Sequence, residues 1–390
     1  MTKKRIVVMG FMAGIPIAGV IWQHLHYIVG LQRLGHEVWY LEDSARWTYD
    51  PETQEYGLDY GYATRLLDRL ARRFGFQHHW GFCARHTKGL PTAGMTRPRM
   101  LELIHGADAV FNICGAQEMY EDIADGPNFI YLESDPGVEQ IRLDNGDPAP
   151  REYLSKHRAL FTFGENIGTD RFPVPLHGMR WMPTRQPIVT DFWRTAEGPP
   201  GGAVFTTIAN WNTSGVKDIE WRGDRYLWSK SLEFLKFADA PERTGEPFEL
   251  ATNIRESETR EKLTAHGWRL TDAGPISNDL DAYVSYIQQS KGEFTVAKDQ
   301  YVRLATGWFS DRSACYLAAG RPVITQETGF SQHLGTDVGL LAFSTGDEIT
   351  ERVKEIRADY QKHSAAAAAI AAECFEATRI VGSILERAGV

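Results

Sequence analysis

Four polar residues stand in a row directly before a stretch of small residues at 314–319, namely Ser310, Asp311, Arg312 and Ser313. Hydroxyl and carboxylate oxygens are preferred at helix N-caps, and a glycine, here Gly320, is preferred just past a helix end. The unpaired N–H groups of a first helical turn attract anions, and Arg312 and Lys298 would add positive charge. The sequence therefore predicts a phosphate-binding helix start at this point.

Two carboxylates, Glu133 and Asp135, follow the apolar run 128–132. If that run is a parallel strand, both side chains lie at its carboxyl end, where catalytic groups gather in α/β sheets. One carboxylate would then act as a general base that takes a proton from a substrate hydroxyl, or would stabilise positive charge on a substrate ring. The alternative is a strand end capped by two solvated acids.

A competing base is His24, which lies in a predicted helix at 20–34, and His26 falls on a different face of that helix. Histidine is the side chain whose ordinary pKa suits proton transfer near neutral pH. A single helix histidine is nevertheless more often structural. His24 therefore remains an alternative to the two carboxylates, either as a base or as a contact of a phosphate group.

Strands and helices alternate from the first residues onward, which predicts parallel sheets. A strand at 5–9, a loop with three glycines at 10–19, the helix at 20–34 and a strand at 36–42 form the first unit. The loop lacks the spacing Gly-x-Gly-x-x-Gly, so a dinucleotide fingerprint is not supported. An aromatic and polar segment at 49–62 reads as a long loop over the mouth of a cleft, where an acceptor would bind.

The densest group of prolines and glycines, at 196–202, divides the chain, and a new strand at 203–211 restarts the alternation. We expect an N-terminal Rossmann-like domain over 1–190 and a C-terminal one over 200–365. The alanine-rich segment 366–390 is expected to form a helix that packs back on the N-terminal domain.

The stretch CYLAAGRPVITQETG at 315–329, with GLLAF at 339–343, resembles the nucleotide-sugar half of GT-B glycosyltransferases. The resemblance covers about 290–350 and extends more loosely to the first 45 residues. It implies an α/β fold in which two Rossmann-like domains face each other across a cleft. The C-terminal domain would bind a nucleotide sugar, and the N-terminal domain would bind the acceptor.

The resemblance also assigns donor-binding residues. In the family a glycine loop approaches the donor diphosphate, which matches Gly19, and a Thr-Gly loop follows the strand, which matches Thr328 and Gly329. The glutamate that holds the donor ribose in many members is replaced by Cys315. Asp311 and Glu327 are the two substitutes for that role.

A basic pair completes the resemblance. Arg225 and Lys230 stand five apart, the spacing at which retaining members place an arginine and a lysine on the diphosphate. About a dozen additional residues separate Arg225 from its strand here, so a solvated basic face is the alternative.

Composition excludes several classes. With 390 residues, 43% of them hydrophobic, the chain reads as a two-domain globular protein. Its net charge of −9 argues weakly against a nucleic-acid partner, whose phosphates need a basic face, and a local basic patch is the alternative. Its four cysteines are scattered and form no Cys-x-x-Cys pair, so neither a zinc site nor a disulfide framework is predicted. No leader or apolar span is evident, and a cytoplasmic location is expected.

The favoured function is transfer of a sugar from a nucleotide-sugar donor, with UDP as the favoured nucleotide, to a hydroxyl or amine of a small-molecule or glycan acceptor. No metal and no further cofactor are expected. Alternatives are a nucleotide-sugar epimerase on the same fold and a two-lobed binding protein without activity. The sequence leaves open the sugar, the acceptor, the stereochemical outcome and the oligomeric state.

Overall fold

The computed structural model describes residues 2–124, 126, 128–195, 197–211 and 218–390. Its strands form two large, separate sheets, the first from the N-terminal half of the chain and the second from the C-terminal half. The predicted fold class, two Rossmann-like α/β units rather than one continuous sheet, is confirmed. Residue 196 of the predicted linker lies outside the described residues.

The N-terminal half contributes ten strands: β1 (Arg5–Met9), β2 (Glu37–Glu42), β3 (Thr48–Asp50), β4 (Glu55–Gly57), β5 (Trp80–Cys83), β6 (Thr92–Ala93), β7 (Ala109–Ile113), β8 (Phe129–Glu133), β9 (Ala159–Thr162) and β10 (Trp181–Pro183). Eight of them form one sheet in the order β10-β9-β8-β7-β1-β2-β5-β6, parallel except at β6. The strands β1, β7 and β8 are almost entirely buried, because helices cover both faces of a parallel sheet.

The helices of this half are α1 (Ala18–Arg33), α2 (Gly61–Arg73), α3 (Arg97–His105), α4 (Glu121–Ala124), α5 (Val138–Asp144) and α6 (Ala149–Leu154). A short 3-10 helix at Thr190–Phe192 leads toward the second half. Where the sequence suggested a long loop at 49–62, the chain forms the antiparallel hairpin β3–β4 and the start of α2. Gln54, with φ of 60°, occupies the turn of that hairpin.

The C-terminal half contributes β11 (Phe205–Ala209), β12 (Ile219–Trp221), β13 (Asp224–Tyr226), β14 (Phe248–Thr252), β15 (Trp268–Asp272), β16 (Gly292–Thr295), β17 (Val323–Gln326) and β18 (Leu340–Phe343). Six of these strands form a wholly parallel sheet in the order β15-β14-β11-β16-β17-β18. The strands β12 and β13 form a separate antiparallel hairpin. β11 lies in the middle of this sheet. The chain adds β14 and β15 on one side of β11 and then crosses over to add β16, β17 and β18 on the other side, as in other Rossmann-like units.

The remaining helices are α7 (Ser231–Leu235), α8 (Ala240–Thr244), α9 (Ser257–Ala265), α10 (Ala273–Ser277), α11 (Leu280–Gln289), α12 (Asp299–Arg303), α13 (Asp311–Ala318), α14 (Gly346–Ala358), α15 (Tyr360–Cys374) and α16 (Ala377–Arg387), with a 3-10 helix at Phe330–Gln332. The alanine-rich segment is thus two helices, with a break at 375–376. In the break, the Ile188 N–H donates to the Phe375 carbonyl over 2.7 Å.

The last helix, α16, packs against α1, whereas α15 packs against α13. The contact between α16 and α1 is close because Gly30 has no side chain. A Cβ atom at Gly30 would lie 3.0 Å from the Cβ of Ala377. The C-terminal segment therefore connects the two halves of the molecule.

An apolar core also crosses from one half to the other through α1. Trp22 on α1 contacts Trp193, with ring centroids 5.2 Å apart, and Trp193 contacts Tyr283 on α11 at 6.1 Å. All three side chains are buried.

In the described part of the chain, no helix is both long and apolar enough to cross a bilayer.

Candidate active site

A cavity of ≈ 550 Å³ lies between the two halves, at the carboxyl ends of β11, β14 and β15. On the N-terminal side, the wall of the cavity consists of residues from the first turns of α1 and from the β3–β4 hairpin. The C-terminal half contributes the loops after its strands and the start of α13. The residues that line it include Gly19, Gln23, Tyr49, Tyr56, Asn253, Gly274, Asn278, Ser310, Asp311 and Arg312.

Of the predicted donor-binding residues, four line this cavity, namely Gly19, Ser310, Asp311 and Arg312. Gly19 lies in the first turn of α1, where a Cβ atom would approach the Tyr283 hydroxyl to 3.5 Å. The Gln23 amide of the same helix donates to Asp311 across the cavity over 3.4 Å. The first glycine loop and the α13 start, 288 residues apart in sequence, therefore face each other.

The α13 start has the geometry that favours an anion. Ser310 occupies the N-cap position with extended backbone, and its side chain makes no capping hydrogen bond. The Ser313 hydroxyl is fully buried and has no hydrogen-bond partner among the residues that the structure describes. Burial, together with the charge of Asp135, raises the pKa of Asp311 to about 7. A partly neutral Asp311 weakens the repulsion that an incoming phosphate would meet at this helix N-terminus.

Arg312 is held in place by the protein itself. Its guanidinium donates to Glu293 over 2.6 Å, to the Ile208 carbonyl over 2.6 Å and to the Thr295 hydroxyl over 2.9 Å. Glu293 is fully buried, so this is a desolvated ion pair at the base of α13. Arg312 lines the cavity with its orientation fixed, and part of its hydrogen-bonding capacity is already used.

Lys298 and Asp135 form an ion pair that joins the two halves. The Lys298 ammonium lies 2.8 Å from a carboxylate oxygen of Asp135 and 3.1 Å from the centre of the Trp228 ring. The Tyr301 hydroxyl donates to the same carboxylate. Beside this pair, the Trp308 indole N–H donates to the Ser134 carbonyl over 2.9 Å. The structure thus brings a predicted base and a predicted donor-binding lysine into direct contact.

Lys230 lies next to these cations. Burial and the positive charges of Arg312 and Lys298 lower its pKa to about 7. Its ammonium sits 5.5 Å from the centre of the Trp308 ring. Among the residues that the structure describes, no carboxylate lies within ion-pair distance of Lys230. We call Lys230, Lys298 and Arg312 the cation cluster.

Arg225 does not join the cation cluster. It lies on the β12–β13 hairpin with 63% of its side chain exposed, and it pairs with Asp218 over 2.8 Å. The spacing of five residues therefore corresponds to two different environments here. Lys230 lies near Arg312 of α13, whereas Arg225 is exposed to solvent, as in the alternative interpretation.

Glu133 is buried at the end of β8, where the Gln140 amide donates to it over 3.0 Å. Burial raises the pKa of Glu133 to about 8, with the charges of Glu139 and Asp135 adding to the effect, although hydrogen bonds from Thr162 and Gln140 oppose it. The carboxyl is therefore mostly protonated at neutral pH. A protonated carboxyl cannot take a proton, so the structure favours Asp135 over Glu133 as a base.

His24 is fully buried and does not line the cavity. One ring nitrogen lies 2.7 Å from the Val20 carbonyl, and the other accepts the Phe11 N–H over 3.4 Å. Burial lowers its pKa to about 4, so the imidazole is neutral. A Cβ atom at Gly10 would lie 2.1 Å from this ring, which explains the glycine. The contacts of His24 fix the first loop, as the structural alternative predicts.

The predicted Thr-Gly loop at 327–329 packs on the segment before α13. The Thr328 hydroxyl donates to the Trp308 carbonyl, and Glu327 accepts the Gly329 N–H. A Cβ atom at Gly329, where φ is 91°, would collide with the Asn166 amide at 2.3 Å. None of these three residues lines the cavity. Of the two substitutes suggested for a ribose-binding residue, Asp311 lines the cavity and Glu327 does not.

The sequence analysis did not identify the cavity residues Gln23 and Asn253, whereas Tyr49 and Tyr56 belong to the segment 49–62 that it placed at the mouth of the cleft. Asn253 follows the end of β14, and the rule that strand ends line the cleft could have identified it. Gln23 lies one turn into α1, and a helical projection from Gly19 points to it. No group of three or more histidine, cysteine, aspartate or glutamate side chains with metal-binding geometry occurs within the described ranges.

Comparison with known proteins gives structural likeness only. No family model matches the sequence, and no curated protein sequence is significantly similar to it. The fold is similar to an α-glucosyltransferase in complex with UDP, at TM-score 0.60 and 12% identity over 99% of both chains. It is also similar to AviGT4, a glycosyltransferase involved in avilamycin A biosynthesis, at TM-score 0.57 and 12% identity over 98% of this chain and 97% of that one.

A third similar structure is HepE from Anabaena in complex with UDP and glucose, at TM-score 0.56 and 11% identity over 99% of both chains. The likeness spans the complete length of all three chains. It therefore covers both sheets and the cavity between them. The chain has the two-domain GT-B fold of these glycosyltransferases.

Proposed function

We propose that this protein is a glycosyltransferase that moves a sugar from a nucleotide-sugar donor to a hydroxyl or amine of an acceptor. The donor diphosphate binds at the start of α13 and the cation cluster. UDP is the favoured nucleotide, because the structures of similar fold include complexes with UDP. The acceptor is a small molecule or a glycan.

One observation carries this proposal. Lys230 is a half-buried cation with a lowered pKa and two further cations beside it, and no described carboxylate lies within ion-pair distance of it, although the charges of Glu293 and Asp135 act on it from farther away. Burying like charges together costs free energy unless an anion joins them. A diphosphate at this position would restore the ordinary pKa of Lys230 and would offset the repulsion. The same cations would stabilise the charge that develops on the leaving nucleotide diphosphate.

Asp135 is the proposed base for the acceptor. Its carboxylate faces the cation cluster, and 33% of its side chain is exposed. The Lys298 ammonium and the Tyr301 hydroxyl both contact this carboxylate, and burial raises the pKa of the neighbouring Glu133 to about 8. Because a mostly protonated Glu133 cannot accept the proton, we assign the proton-accepting role to Asp135.

The domain assignment remains part of the proposal. We assign 1–190 to the acceptor side and 200–365 to the donor side; of the segment 366–390, α16 packs on the first and the end of α15 on the second. The α-glucosyltransferase of similar fold also occurs in a complex with UDP and DNA, at TM-score 0.57 and 10% identity. The net charge of −9 leads us to expect that nucleic acid is not the acceptor here. Because the three structures of similar fold described above are glycosyltransferases or complexes with UDP, the epimerase is not favoured.

A thermal-shift panel of UDP-, GDP-, TDP- and ADP-sugars tests the proposal. A ligand at a hundredfold excess over its Kd stabilises the native state by about 2.7 kcal/mol. We expect one nucleotide to give this stabilisation, and we expect Lys230→Ala and Arg312→Ala to reduce it. A protein that responds to none of the four nucleotides is not a transferase of this kind.

A further inference from the structure

The β3–β4 hairpin belongs to the N-terminal half but reaches the donor side of the cavity. The Tyr49 N–H donates to the Gly14 carbonyl over 2.8 Å, and the Thr48 hydroxyl donates to the Asp59 carbonyl. Both contacts anchor the hairpin at its base to the N-terminal half. The side chains of two hairpin tyrosines, Tyr49 and Tyr56, line the cavity.

The wall opposite the tyrosines consists of C-terminal loops. Asn253 follows β14, and Gly274 and Asn278 belong to α10 and the turn after it. Tyr49 also lines an adjoining cavity that contains Arg255, and the charge of Arg255 lowers the pKa of Tyr49 against the raising effect of burial. The hairpin therefore spans the cleft at the end lined by β14 and α10.

The chemistry of the two cavity ends differs. Arg312 and the Ser310 N-cap lie at the end that suits phosphate groups, as proposed above. The tyrosine end offers the Asn278 amide and an aromatic face, and the Asn253 amide there already accepts the Trp211 N–H over 3.0 Å and donates to Asn210 over 2.8 Å, which fixes its orientation. Amide groups match the edge hydrogen-bonding groups of a heterocycle, and aromatic rings stack on its flat face.

Tyr56 is exposed over 56% of its surface, which is unusual for a side chain of this size in a cavity wall. Its ring lies 5.0 Å from that of Tyr49 and is tilted by 48° against it. Tyr49 thus supports one side of Tyr56, and the remaining surface is free to contact a ligand.

We infer that Tyr56 stacks on the nucleobase of the nucleotide donor, with Tyr49 as the residue that positions it; this inference rests on the proposed function. The N-terminal half then contributes directly to donor affinity. The hairpin was expected to hold an acceptor, and on this inference it closes the donor site from the other side of the cleft.

Titration calorimetry with UDP and, separately, with inorganic pyrophosphate tests the inference, because pyrophosphate carries the phosphates without a base. Tyr56→Ala is expected to weaken UDP binding by about 5- to 100-fold, the range of one base–aromatic contact. Pyrophosphate binding is expected to stay unchanged. Tyr56→Phe keeps the ring and should retain UDP affinity to within a few-fold.

Trp47→Ala is the matched control, since Trp47 is 59% exposed on the same segment and does not line the cavity. It should bind UDP as the wild type does. Equal UDP affinity of Tyr56→Ala and the wild type would overturn the inference alone. An equal loss of UDP and pyrophosphate affinity would also overturn it, because the effect would then lie on the phosphates. Failure of the wild type to bind any of UDP, GDP, TDP or ADP would overturn the proposed function as well.

Discussion

Both sheets place parallel strands on either side of their first strand, but the charges at their carboxyl edges are paired differently. At the N-terminal edge, buried Asp43 pairs with Arg85 over 2.8 Å and with Arg97, and both arginines also pair with Asp122. Two arginines thus balance two aspartates within one half. At the C-terminal edge, Lys230 has no such partner among the described residues.

The same contrast holds for the loops. Glu42 at the end of β2 accepts the N–H groups of Ala13 and Gly14 over 2.6 and 3.0 Å and the Tyr40 hydroxyl over 2.5 Å. Its hydrogen bonds fix the first glycine loop from within the N-terminal half. Polar groups that hydrogen-bond to one another fix the shape of a site, whereas charges without partners in the protein are available to bind a ligand.

Asp135 is the exception on the N-terminal edge, because its partner Lys298 comes from the other half. The comparison therefore predicts that chemistry depends on Asp135, that donor affinity depends on the cation cluster, and that the other N-terminal acids affect stability.

The largest expected effect is that of Asp135→Asn. If Asp135 takes the acceptor proton, the single-turnover rate falls by about a hundredfold or more, since general-base catalysis contributes 10² to 10⁴. UDP affinity should stay equal or improve, because a negative charge beside the phosphates is removed. Ser134→Ala is the control. A full transfer rate in Asp135→Asn would remove the end of β8 from the chemistry.

Next in size is Lys230→Ala, which should weaken UDP-glucose binding by roughly 10- to 100-fold, the range for a hydrogen bond to a charged group. Because the pKa of Lys230 is lowered to about 7, its ammonium is lost as pH rises through that value. Wild-type affinity should therefore fall between pH 7 and 9. Lys230→Arg, which stays protonated, should remove this pH dependence. An unchanged affinity in Lys230→Ala would place the phosphates elsewhere.

A stability effect is expected for Glu133→Gln. The folded-state pKa of Glu133 is about 8, well above the ordinary value of a glutamate, so the folded state retains the proton between pH 5 and 8. Wild-type stability should consequently fall as pH rises from 5 to 8, and the variant should lack that part of the slope, about 1.4 kcal/mol per pH unit. Urea unfolding at several pH values measures it.

Glu102→Gln serves as the control for Glu133→Gln. Arg99 lowers the pKa of exposed Glu102, so this carboxyl does not titrate between pH 5 and 8. Equal slopes for Glu133→Gln and the wild type would mean that Glu133 is ionised in the folded protein. Glu133 would then return as a candidate base.

The smallest expected effect is that of Arg225→Ala. Its exposed ion pair with Asp218 is of the kind that contributes about 0 to 1 kcal/mol, and the side chain lies outside the cation cluster. UDP affinity should change by less than about twofold, against the larger loss for Lys230→Ala. A comparable loss in both variants would show that the hairpin moves onto the diphosphate when the donor binds.

The sequence by itself determined the units whose signals are local. The β1–α1–β2 and β16–α13–β17 units follow from short apolar runs, glycine positions and capping residues, which report on backbone conformation within a few residues. The positions of Gly19, Ser310 and Asp311 at the cavity follow from those units, because strand ends and helix starts meet at one edge of a parallel sheet.

Only the tertiary structure decided which charges are satisfied. Lys298 and Asp135 stand 163 residues apart, and no local pattern links them. Likewise, the spacing from Arg225 to Lys230 carries no information on which of them is exposed. The pKa values of Glu133 and Lys230 depend on desolvation and on neighbours from distant segments. Electrostatic energies depend on distances in space and on burial, and both are set only when the two halves pack together.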